Sequence, residues 1–307
     1  MRTLVAMNTD NLLKIAIRAA LEAGRDIMEI YEDPAADFGV ERKADNSPLT
    51  RADKAAHARI ISYLEPTGIP VLSEEGAHLP YSTRRNWQRL WIVDPLDGTK
   101  EFIKRNGEFT VNIALVENGV PEMGVIYRPR PTLSPSLEGI ETSNNNKGKA
   151  GALFYASKEE GAWKADIYDD KDIDYIIRTS QPLHPLRGSM EEDKGKSTFV
   201  CVASRSHLSP ETAAFIEELR HEHPDLELIS SGSSLKICLV AEGKADIYPR
   251  HAPTMEWDTA AGDAIARAAG CDMVDAQTDT PLVYNKEDLH NPWFIVRRGK
   301  RNNGLTE

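Results

Sequence analysis

Cysteine is scarce in this chain, and the cysteines that are present stand far apart. Among 307 residues only Cys201, Cys238 and Cys271 occur. No two of them form a CxxC pair, so the sequence contains neither a zinc-knuckle pattern nor a disulfide framework. Isolated thiols are typical of a reducing compartment, and this predicts a cytoplasmic protein.

Long hydrophobic runs and an excess of basic charge are also missing. No segment offers about 18 uninterrupted apolar residues, and Lys14, Arg18 and Glu22 interrupt the apolar positions near the start, so neither a membrane span nor a signal peptide is predicted. The 37 lysines and arginines against 48 aspartates and glutamates give a net charge of −11. An acidic chain lacks the electrostatic footprint that binds a nucleic-acid backbone, so we expect no nucleic-acid partner.

The composition is otherwise that of a globular protein, with 40% hydrophobic and 28% charged residues. At about 100 to 200 residues per domain, the length predicts two domains or one bilobal unit. Segments with helical periodicity alternate with short apolar runs of strand character, which predicts a layered α/β or α+β fold. The predicted helices are 8–31, with Asp10 as its cap, 51–64, 210–221, 233–242 and 259–269, and the predicted strands are 69–72, 90–93, 109–117, 120–127, 198–203, 226–229 and 245–248.

Two polar stretches, 134–149 and 182–197, interrupt this pattern and are typical of solvated loops. The second is the candidate border between two parts of the chain, 1–196 and 197–307.

The strongest local motif is an apolar strand that runs into two carboxylates, Asp94 and Asp97. Pro95 stiffens the turn between them, so both acids can face one point, and the Leu96 carbonyl can point the same way. Hard divalent cations prefer such oxygen ligands, Mg²⁺ in particular. The motif therefore indicates a candidate metal site.

Gly98 and Thr99 follow directly, and their backbone N–H groups suit close approach by a phosphate. A β-turn in which both aspartates only cap backbone amides is the default interpretation of such a motif on its own.

Two further acidic sites bear on the choice between a metal site and a simple β-turn. Glu74 and Glu75 follow the predicted strand 69–72, where open α/β sheets bind ligands. A solvated acidic loop is the alternative, and for Glu75 alone it is an equal one. Asp258 stands before a predicted alanine-rich helix, where an ordinary N-cap is the alternative. Sequence spacing leaves open whether these carboxylates meet; if the fold brings them together, two or three Mg²⁺ ions have ligands in Glu74, Asp94, Asp97 and Asp258.

Three segments then carry a family resemblance: LSEEG at 72–76, WIVDPLDGTKEF at 91–102 and WDTAAG at 257–262. In this order and at these separations they resemble the signature of the inositol monophosphatase superfamily of Mg²⁺-dependent, Li⁺-sensitive phosphatases. The resemblance implies a layered αβαβα sandwich, with a metal-binding half at 1–196 and a second half at 197–307.

Longer segments narrow the likeness to the CysQ-type 3'(2'),5'-bisphosphate nucleotidases of that superfamily. They are KADNSPLTRAD at 43–53, DGTKEFIKRNGEFTVNIAL at 97–115 and GSSLKICLVAEGKADIYPR at 232–250. The likeness extends from Leu12 to Phe294 and departs in the polar stretches 134–149 and 166–197 and at both ends of the chain.

The resemblance implies a two-metal site. Glu74, Asp94 and the Leu96 carbonyl would hold one ion, while Asp94 would be shared with the second ion, whose other ligands are Asp97 and Asp258. Water would attack phosphorus in line with the departing ester oxygen. Asp53 and Thr99 match the pair that orients this water and accepts its proton, and Glu74 counts with them as catalytic; a favourable helix N-terminal charge is the alternative for Asp53.

The resemblance also implies substrate contacts from the turn and helix at 231–236 and from Arg250. For Lys236 a solvated helical lysine and for Arg250 a surface salt bridge are equal alternatives. The full set of implied substrate-binding residues is Glu74, Leu96, Asp97, Gly98, Thr99, Ser233, Ser234, Lys236, Arg250 and Asp258.

The implied reaction is removal of the 3'-phosphate of adenosine 3',5'-bisphosphate to give AMP, with activity on the 3'-phosphoadenylyl sulfate analogue and a role in sulfate assimilation. An inositol-1-phosphate or sugar-phosphate phosphatase is the alternative within the superfamily, and a non-catalytic Mg²⁺-dependent nucleotide sensor is the alternative outside it. Enzymes of this type are cytoplasmic and in some cases attach peripherally to the inner membrane. Oligomeric state does not follow from the sequence.

Overall fold

The structure is a computed structural model, and it describes residues 8–33, 35, 37–43, 48–76, 79–130, 151–168, 172–183, 198–206 and 208–299. The polar stretch 134–149, most of the predicted loop 182–197 and part of the KADNSP segment lie outside these residues.

Two helices open the chain. Helix α1 (Thr9–Glu32) begins at Asn8, whose side-chain oxygen accepts the Asp10 N–H at 2.6 Å; Asn8 is therefore the N-cap, and the prediction of Asp10 was wrong. Helix α2 (Arg51–Leu64) has the predicted bounds, and a 3-10 turn over Glu65–Thr67 extends it. A small hairpin of β1 (Glu41–Arg42) and β2 (Pro48–Leu49) lies between the two helices.

The first sheet has seven strands arranged in chain order from β3 to β9. Its first pair is parallel and the remaining pairs are antiparallel. The strands are β3 (Val71–Ser73), β4 (Arg89–Asp97), β5 (Thr110–Glu117), β6 (Val120–Arg128), β7 (Gly151–Ser157), β8 (Gly161–Ile167) and β9 (Gln181–Pro182). Three short helices accompany them: α3 (Tyr81–Arg84), α4 (Thr99–Ile103) and α5 (Ile173–Thr179).

The second sheet has five strands in the order β11-β10-β12-β14-β13. They are β10 (Val200–Ser204), β11 (Glu227–Ser231), β12 (Ile247–Arg250), β13 (Cys271–Asp275) and β14 (Phe294–Arg298). The helices of this part are α6 (Pro210–Glu222), α7 (Leu235–Ala241) and α8 (Glu256–Ala268). Strands β7, β8, β13 and β14 have no counterpart in the sequence prediction; β7, for instance, is buried on both faces and so lacks a polar alternation.

Both faces of the first sheet are buried, and this defines the layers. In β4, Trp91 and Val93 pack in the core that α1 and α2 cover, whereas Leu90 and Ile92 pack in the core that holds α7 and α8. Helix α6 closes the outer face of the second sheet through Ile216 and its neighbours. The order helix, sheet, helix, sheet, helix confirms the predicted αβαβα sandwich.

Helix α8 joins the two halves. It packs against β4 to β7 of the first sheet and β13 of the second, and a Cβ at Gly124 would come within 2.2 Å of the Ala261 carbonyl oxygen. The two halves therefore share one core, and the division at residue 196 stays a prediction, since the border lies outside the described residues. Within those residues, no helix is both long and apolar enough to cross a bilayer.

Candidate active site

The acidic motifs converge at one edge of the first sheet. Strands β3 and β4 are parallel, and the Glu74 N–H donates to the Val93 carbonyl at 3.1 Å, so both strands end at the same edge. Strand β4 continues as far as Asp97, with a bulge between Asp94 and Asp97 in its pairing with β5. A β-bulge changes the direction in which side chains leave a strand. Here both aspartates beside the bulge line the same cleft.

Asp258 lines this cleft from the first turn of α8. The helix begins at Glu256, so the prediction that Asp258 precedes the helix was wrong. Its Oδ2 accepts the Met255 N–H at 2.7 Å and so satisfies a helix-terminal donor. The cap uses one carboxylate oxygen, and the other remains for a further partner. Asp258 therefore caps the helix from its third position, with Met255 as the N-cap, and this capping role leaves room for a metal ligand.

Three carboxylates form a close cluster. Asp94, Asp97 and Asp258 each offer one oxygen, and these oxygens lie within 4.8 Å of one another. Burial, followed by the charges of Glu74, Asp97 and Asp258, raises the pKa of Asp94 well above its usual range. Burial and the charges of Asp97 and Glu74 raise the pKa of Asp258 to about 8. Lys236 opposes the rise in the pKa of Asp97, and Arg250 opposes the rise in the pKa of Asp258, yet both pKa values stay raised. The described residues therefore compensate this negative charge only in part.

Glu74 borders the cluster, but its carboxylate has a cationic partner. The Lys43 ammonium donates to Glu74 Oε1 at 2.6 Å and to Glu75 Oε1 at 2.5 Å. Burial raises the pKa of Glu74 and Lys43 opposes that rise. Glu74 is thus beside Asp94 without being one of the three clustered carboxylates.

The cluster fits a divalent cation. Its donors are carboxylate oxygens from β4 and α8, and Leu96, whose carbonyl was the predicted neutral ligand, lines the same cleft. Oxygen-only donor sets of this kind suit Mg²⁺. A cation at this point would offset the mutual repulsion that raises the pKa values of these aspartates.

Asp53 and Thr99 meet beside the cluster, although 46 positions separate them in the sequence. The Thr99 hydroxyl donates to Asp53 Oδ1 at 3.1 Å, and it also lies 3.3 Å from the Leu96 carbonyl oxygen. The other Asp53 oxygen, Oδ2, accepts the Thr50 N–H at 2.7 Å in the capping box of α2. Asp53 is 1% exposed, and burial raises its pKa.

Gly98 permits the tight packing of this edge. Its φ is +93°, and a Cβ there would lie 2.9 Å from the Glu108 carbonyl oxygen and 3.3 Å from the Ser233 Cβ. The turn that precedes α7 therefore lies directly against the start of α4. The Ser234 N–H donates to Asp97 Oδ2 at 2.6 Å, so the turn also touches the acidic cluster.

Lys236 is a buried residue and not the solvated lysine of the alternative interpretation. It is 5% exposed, and its ammonium donates to the Ser233 carbonyl and lies 5.4 Å from the centre of the Tyr248 ring. Burial lowers its pKa to about 8, and the charge of Asp97 opposes that shift. Arg250 lines the cleft and donates to the Pro253 carbonyl at 3.3 Å.

These groups surround one cleft of about 280 Å³ between the two sheets. The cleft is lined by every predicted metal-ligand and substrate-binding residue, including Ser233 and Ser234. It is also lined by residues that the sequence analysis did not select: Lys100, Ser204, Tyr248, Thr254 and Phe294. Lys100 and Tyr248 lie within the quoted motifs, whereas no motif marks the other three. Buried Ser233 Oγ has no hydrogen-bond partner among the described residues, which leaves it available to a ligand.

Comparison with known proteins agrees with this geometry. The chain is 43% identical over 288 residues to the 3'(2'),5'-bisphosphate nucleotidase CysQ of Escherichia coli O157:H7, across 93% of this chain and 99% of that protein. It is 31% identical to the CysQ of Haemophilus influenzae, across 94% of this chain and 93% of that protein.

Solved structures show the same relationship. CysQ from Bacteroides thetaiotaomicron has a TM-score of 0.80 with 53% identity, and the match covers 95% of this chain and 99% of that one. Residues 8–303 match the inositol monophosphatase family. The resemblance inferred from the sequence motifs is confirmed, and the chain belongs to the inositol monophosphatase family.

Proposed function

We propose that the chain is a 3'(2'),5'-bisphosphate nucleotidase that hydrolyses the 3'-phosphate of adenosine 3',5'-bisphosphate to give AMP and phosphate. The observation that carries this proposal is the meeting of three elements in one cleft: the Asp94, Asp97 and Asp258 cluster, the Thr99–Asp53 pair and the turn before α7. Relatives named for this activity match almost the whole chain.

Two or three Mg²⁺ ions are the proposed cofactor. Glu74, Asp94, Leu96, Asp97 and Asp258 are the proposed ligands, the Leu96 carbonyl among them. When bound, Mg²⁺ ions polarise phosphoryl oxygens and make water easier to deprotonate. The clustered carboxylates offset part of that positive charge and fix its position.

Thr99 and Asp53 have the geometry of a water-orienting pair. The Thr99 hydroxyl donates to Asp53, so its lone pairs remain open to accept a hydrogen bond from a water in the cleft. Burial raises the pKa of Asp53, and a carboxylate with a raised pKa is a better proton acceptor than an exposed one. In this proposal the proton passes from water through the Thr99 hydroxyl to Asp53.

The remaining cleft residues suit a nucleotide with a second anionic group. Ser233 has a hydroxyl without a partner among the described residues, and Lys236 and Arg250 line the same cleft with positive charge. A bisphosphate has one phosphate for the metal site and a second for these groups. The same contacts would accept 3'-phosphoadenylyl sulfate, and a role in sulfate assimilation follows from that chemistry.

The test is phosphate release from adenosine 3',5'-bisphosphate, inositol 1-phosphate and fructose 1,6-bisphosphate in Mg²⁺, with and without Li⁺. We expect Li⁺-sensitive hydrolysis that strongly favours the nucleotide and is lost in Asp97→Asn. Preference for the inositol or sugar phosphate would overturn the nucleotide assignment. Tight nucleotide binding without hydrolysis would favour a Mg²⁺-dependent sensor.

Asp53→Asn tests the proton-accepting role. We expect kcat to fall by about 10²- to 10⁴-fold, since an amide accepts no proton, while Mg²⁺ affinity stays at the wild-type value. Isothermal titration with Mg²⁺ and steady-state kinetics separate the two effects. Turnover close to wild type would remove Asp53 from the mechanism.

The geometry of the cleft does not bear on cytoplasmic location, on peripheral attachment to the inner membrane or on oligomeric state. The first two stay predictions from the sequence and its resemblance.

A further inference from the structure

An ion pair between a partly exposed arginine and a fully buried glutamate joins the two halves of the molecule next to the cleft. Arg205, just after β10, donates to Glu108 with both ends of its guanidinium fork, Nε to Oε2 and Nη2 to Oε1, each at 2.8 Å. The Glu108 side chain is fully buried. Planar, two-point pairing of this kind restricts orientation more than a single contact does.

The pair also holds the turn that lines the cleft. The Gly232 N–H donates to Glu108 Oε2 at 2.9 Å, and a Cβ at Gly232 would lie 2.9 Å from the Glu108 Cβ. Arg205 also holds β11, the strand before the turn, since its Nη2 donates to the Ser230 carbonyl at 3.0 Å. The turn therefore begins on an anchor that Glu108 and Arg205 form together.

The far end of the turn has a separate anchor. The Ser234 hydroxyl contacts Thr110 Oγ1 at 2.8 Å and Asn112 Oδ1 at 2.9 Å, and its N–H donates to Asp97. All three partners belong to β4 and β5. Loss of the Arg205–Glu108 pair would therefore release Gly232 and Ser233 without releasing the contact to Asp97.

Ser233 needs support from both sides. Its φ is +46°, a left-handed conformation that a non-glycine residue keeps only when its surroundings impose it. Its buried hydroxyl has no partner among the described residues, and Ser233 is one of the residues that line the cleft.

We propose that the Arg205–Glu108 pair positions the Ser233 hydroxyl and so determines selectivity for a bisphosphate over a monophosphate. Neither member of the pair is a catalytic residue, because neither lines the cleft. The inference rests on the proposed function: the second phosphate of the substrate is the group that the positioned turn recognises. The hydrolysed phosphate, at the carboxylate cluster, does not depend on the pair.

The experiment compares Arg205→Met and Glu108→Gln with a matched control, Lys164→Met. Lys164 on β8 forms an ion pair with Glu242, whose side chain is 7% exposed, and this pair also joins the two halves; neither residue lines the cleft. Three substrates are used: adenosine 3',5'-bisphosphate, adenosine 3'-monophosphate and para-nitrophenyl phosphate. Mg²⁺ dependence and thermal midpoint are measured for each variant.

In Arg205→Met we expect KM for the bisphosphate to rise about tenfold or more, equivalent to about 1.4 kcal/mol of lost binding. We expect little change in kcat, in the Mg²⁺ requirement or in kcat/KM for the two monophosphates. Glu108→Gln keeps an acceptor for Gly232 and should show a smaller rise in KM. Lys164→Met should lose comparable thermal stability with unchanged KM.

Equal KM changes in Arg205→Met and Lys164→Met would overturn the proposal, since a general loss of stability would then account for both. An unchanged KM in Arg205→Met would overturn it as well. If Arg205→Met does not fold, Glu108→Gln and Arg205→Lys decide the question through the same KM ratio. Failure of the wild type to hydrolyse the bisphosphate would instead refute the proposed function.

Discussion

Helix α8 carries two aspartates with opposite electrostatic surroundings, one of them fully buried. Asp263 Oδ1 and Oδ2 accept the two ends of the Arg267 guanidinium at 2.6 and 2.8 Å, and the Tyr284 hydroxyl donates at 3.0 Å. Asp258, five positions earlier, lies among other carboxylates, and the charge of Arg250 opposes their effect on its pKa only in part. One acid is compensated within the chain, and the other requires compensation from outside it.

The difference separates a structural acid from a functional one. A buried carboxylate that has its own arginine and tyrosine stabilises packing, whereas clustered carboxylates destabilise the folded chain until a cation binds. The pKa of Asp263 is also raised, because of burial, yet Arg267 opposes that rise. Burial alone therefore does not identify the active site; the absence of a sufficient counter-charge does.

Replacement of a clustered acid tests this contrast most strongly. We expect Asp94→Asn to lower kcat/KM by about 10³-fold or more, because a lost Mg²⁺ ligand removes several kcal/mol of transition-state stabilisation. The metal-free protein should keep or gain thermal stability, since one repelling charge is gone. A clear loss of metal-free stability in this variant would break the comparison.

Replacement of the compensated acid should act in the opposite way. Asp263→Asn leaves the Arg267 guanidinium without its buried partner, and we expect about 3 kcal/mol of destabilisation in urea unfolding. Mg²⁺ affinity of the folded protein should not change. A weakened Mg²⁺ affinity would mean that Asp263 also contributes to the metal site.

Mg²⁺ itself should distinguish the two acids. At about 100 times its dissociation constant, a ligand that binds only the folded state adds about 2.7 kcal/mol of stability. We expect this gain in the wild type and in Asp263→Asn, and its loss in Asp94→Asn, when thermal midpoints are compared with and without the ion. A gain of the same size in all three proteins would place the ion elsewhere.

Dependence on pH tests the same contrast in the metal-free protein. The folded pKa of Asp258, about 8, exceeds its ordinary value of 3.8, so the folded state binds more protons between those values. The free energy of unfolding of the metal-free protein should therefore fall as pH rises from about 5 to 8. The fall is about 1.4 kcal/mol for each unit by which the folded pKa of this carboxyl exceeds its unfolded pKa. Saturating Mg²⁺ should remove the fall, because bound carboxylates stay deprotonated. Asp258→Asn serves as the control, and we expect it to flatten the metal-free profile.

Much of this molecule follows from local sequence. Helix α2 has the predicted bounds because Thr50 caps it and its apolar positions recur at helical spacing. The acidic residues at Glu74, Asp94 and Asp97 are recognisable because short apolar runs end in them. Strands such as β7 escape prediction because burial on both faces removes the alternation that marks a half-exposed strand.

The sequence by itself therefore determined the fold class, the family and the acidic motifs, since these depend on periodicity and on neighbours along the chain. Only the tertiary structure decided which of those residues meet. Asp258 lies beside Asp94 because α8 packs across the first sheet. Thr99 contacts Asp53 because the first turn of α2 lies beside the start of α4. Arg205 reaches Glu108 because the two halves share one core. Those distances depend on how the layers pack, and packing brings together residues whose separation in sequence carries no information about their separation in space.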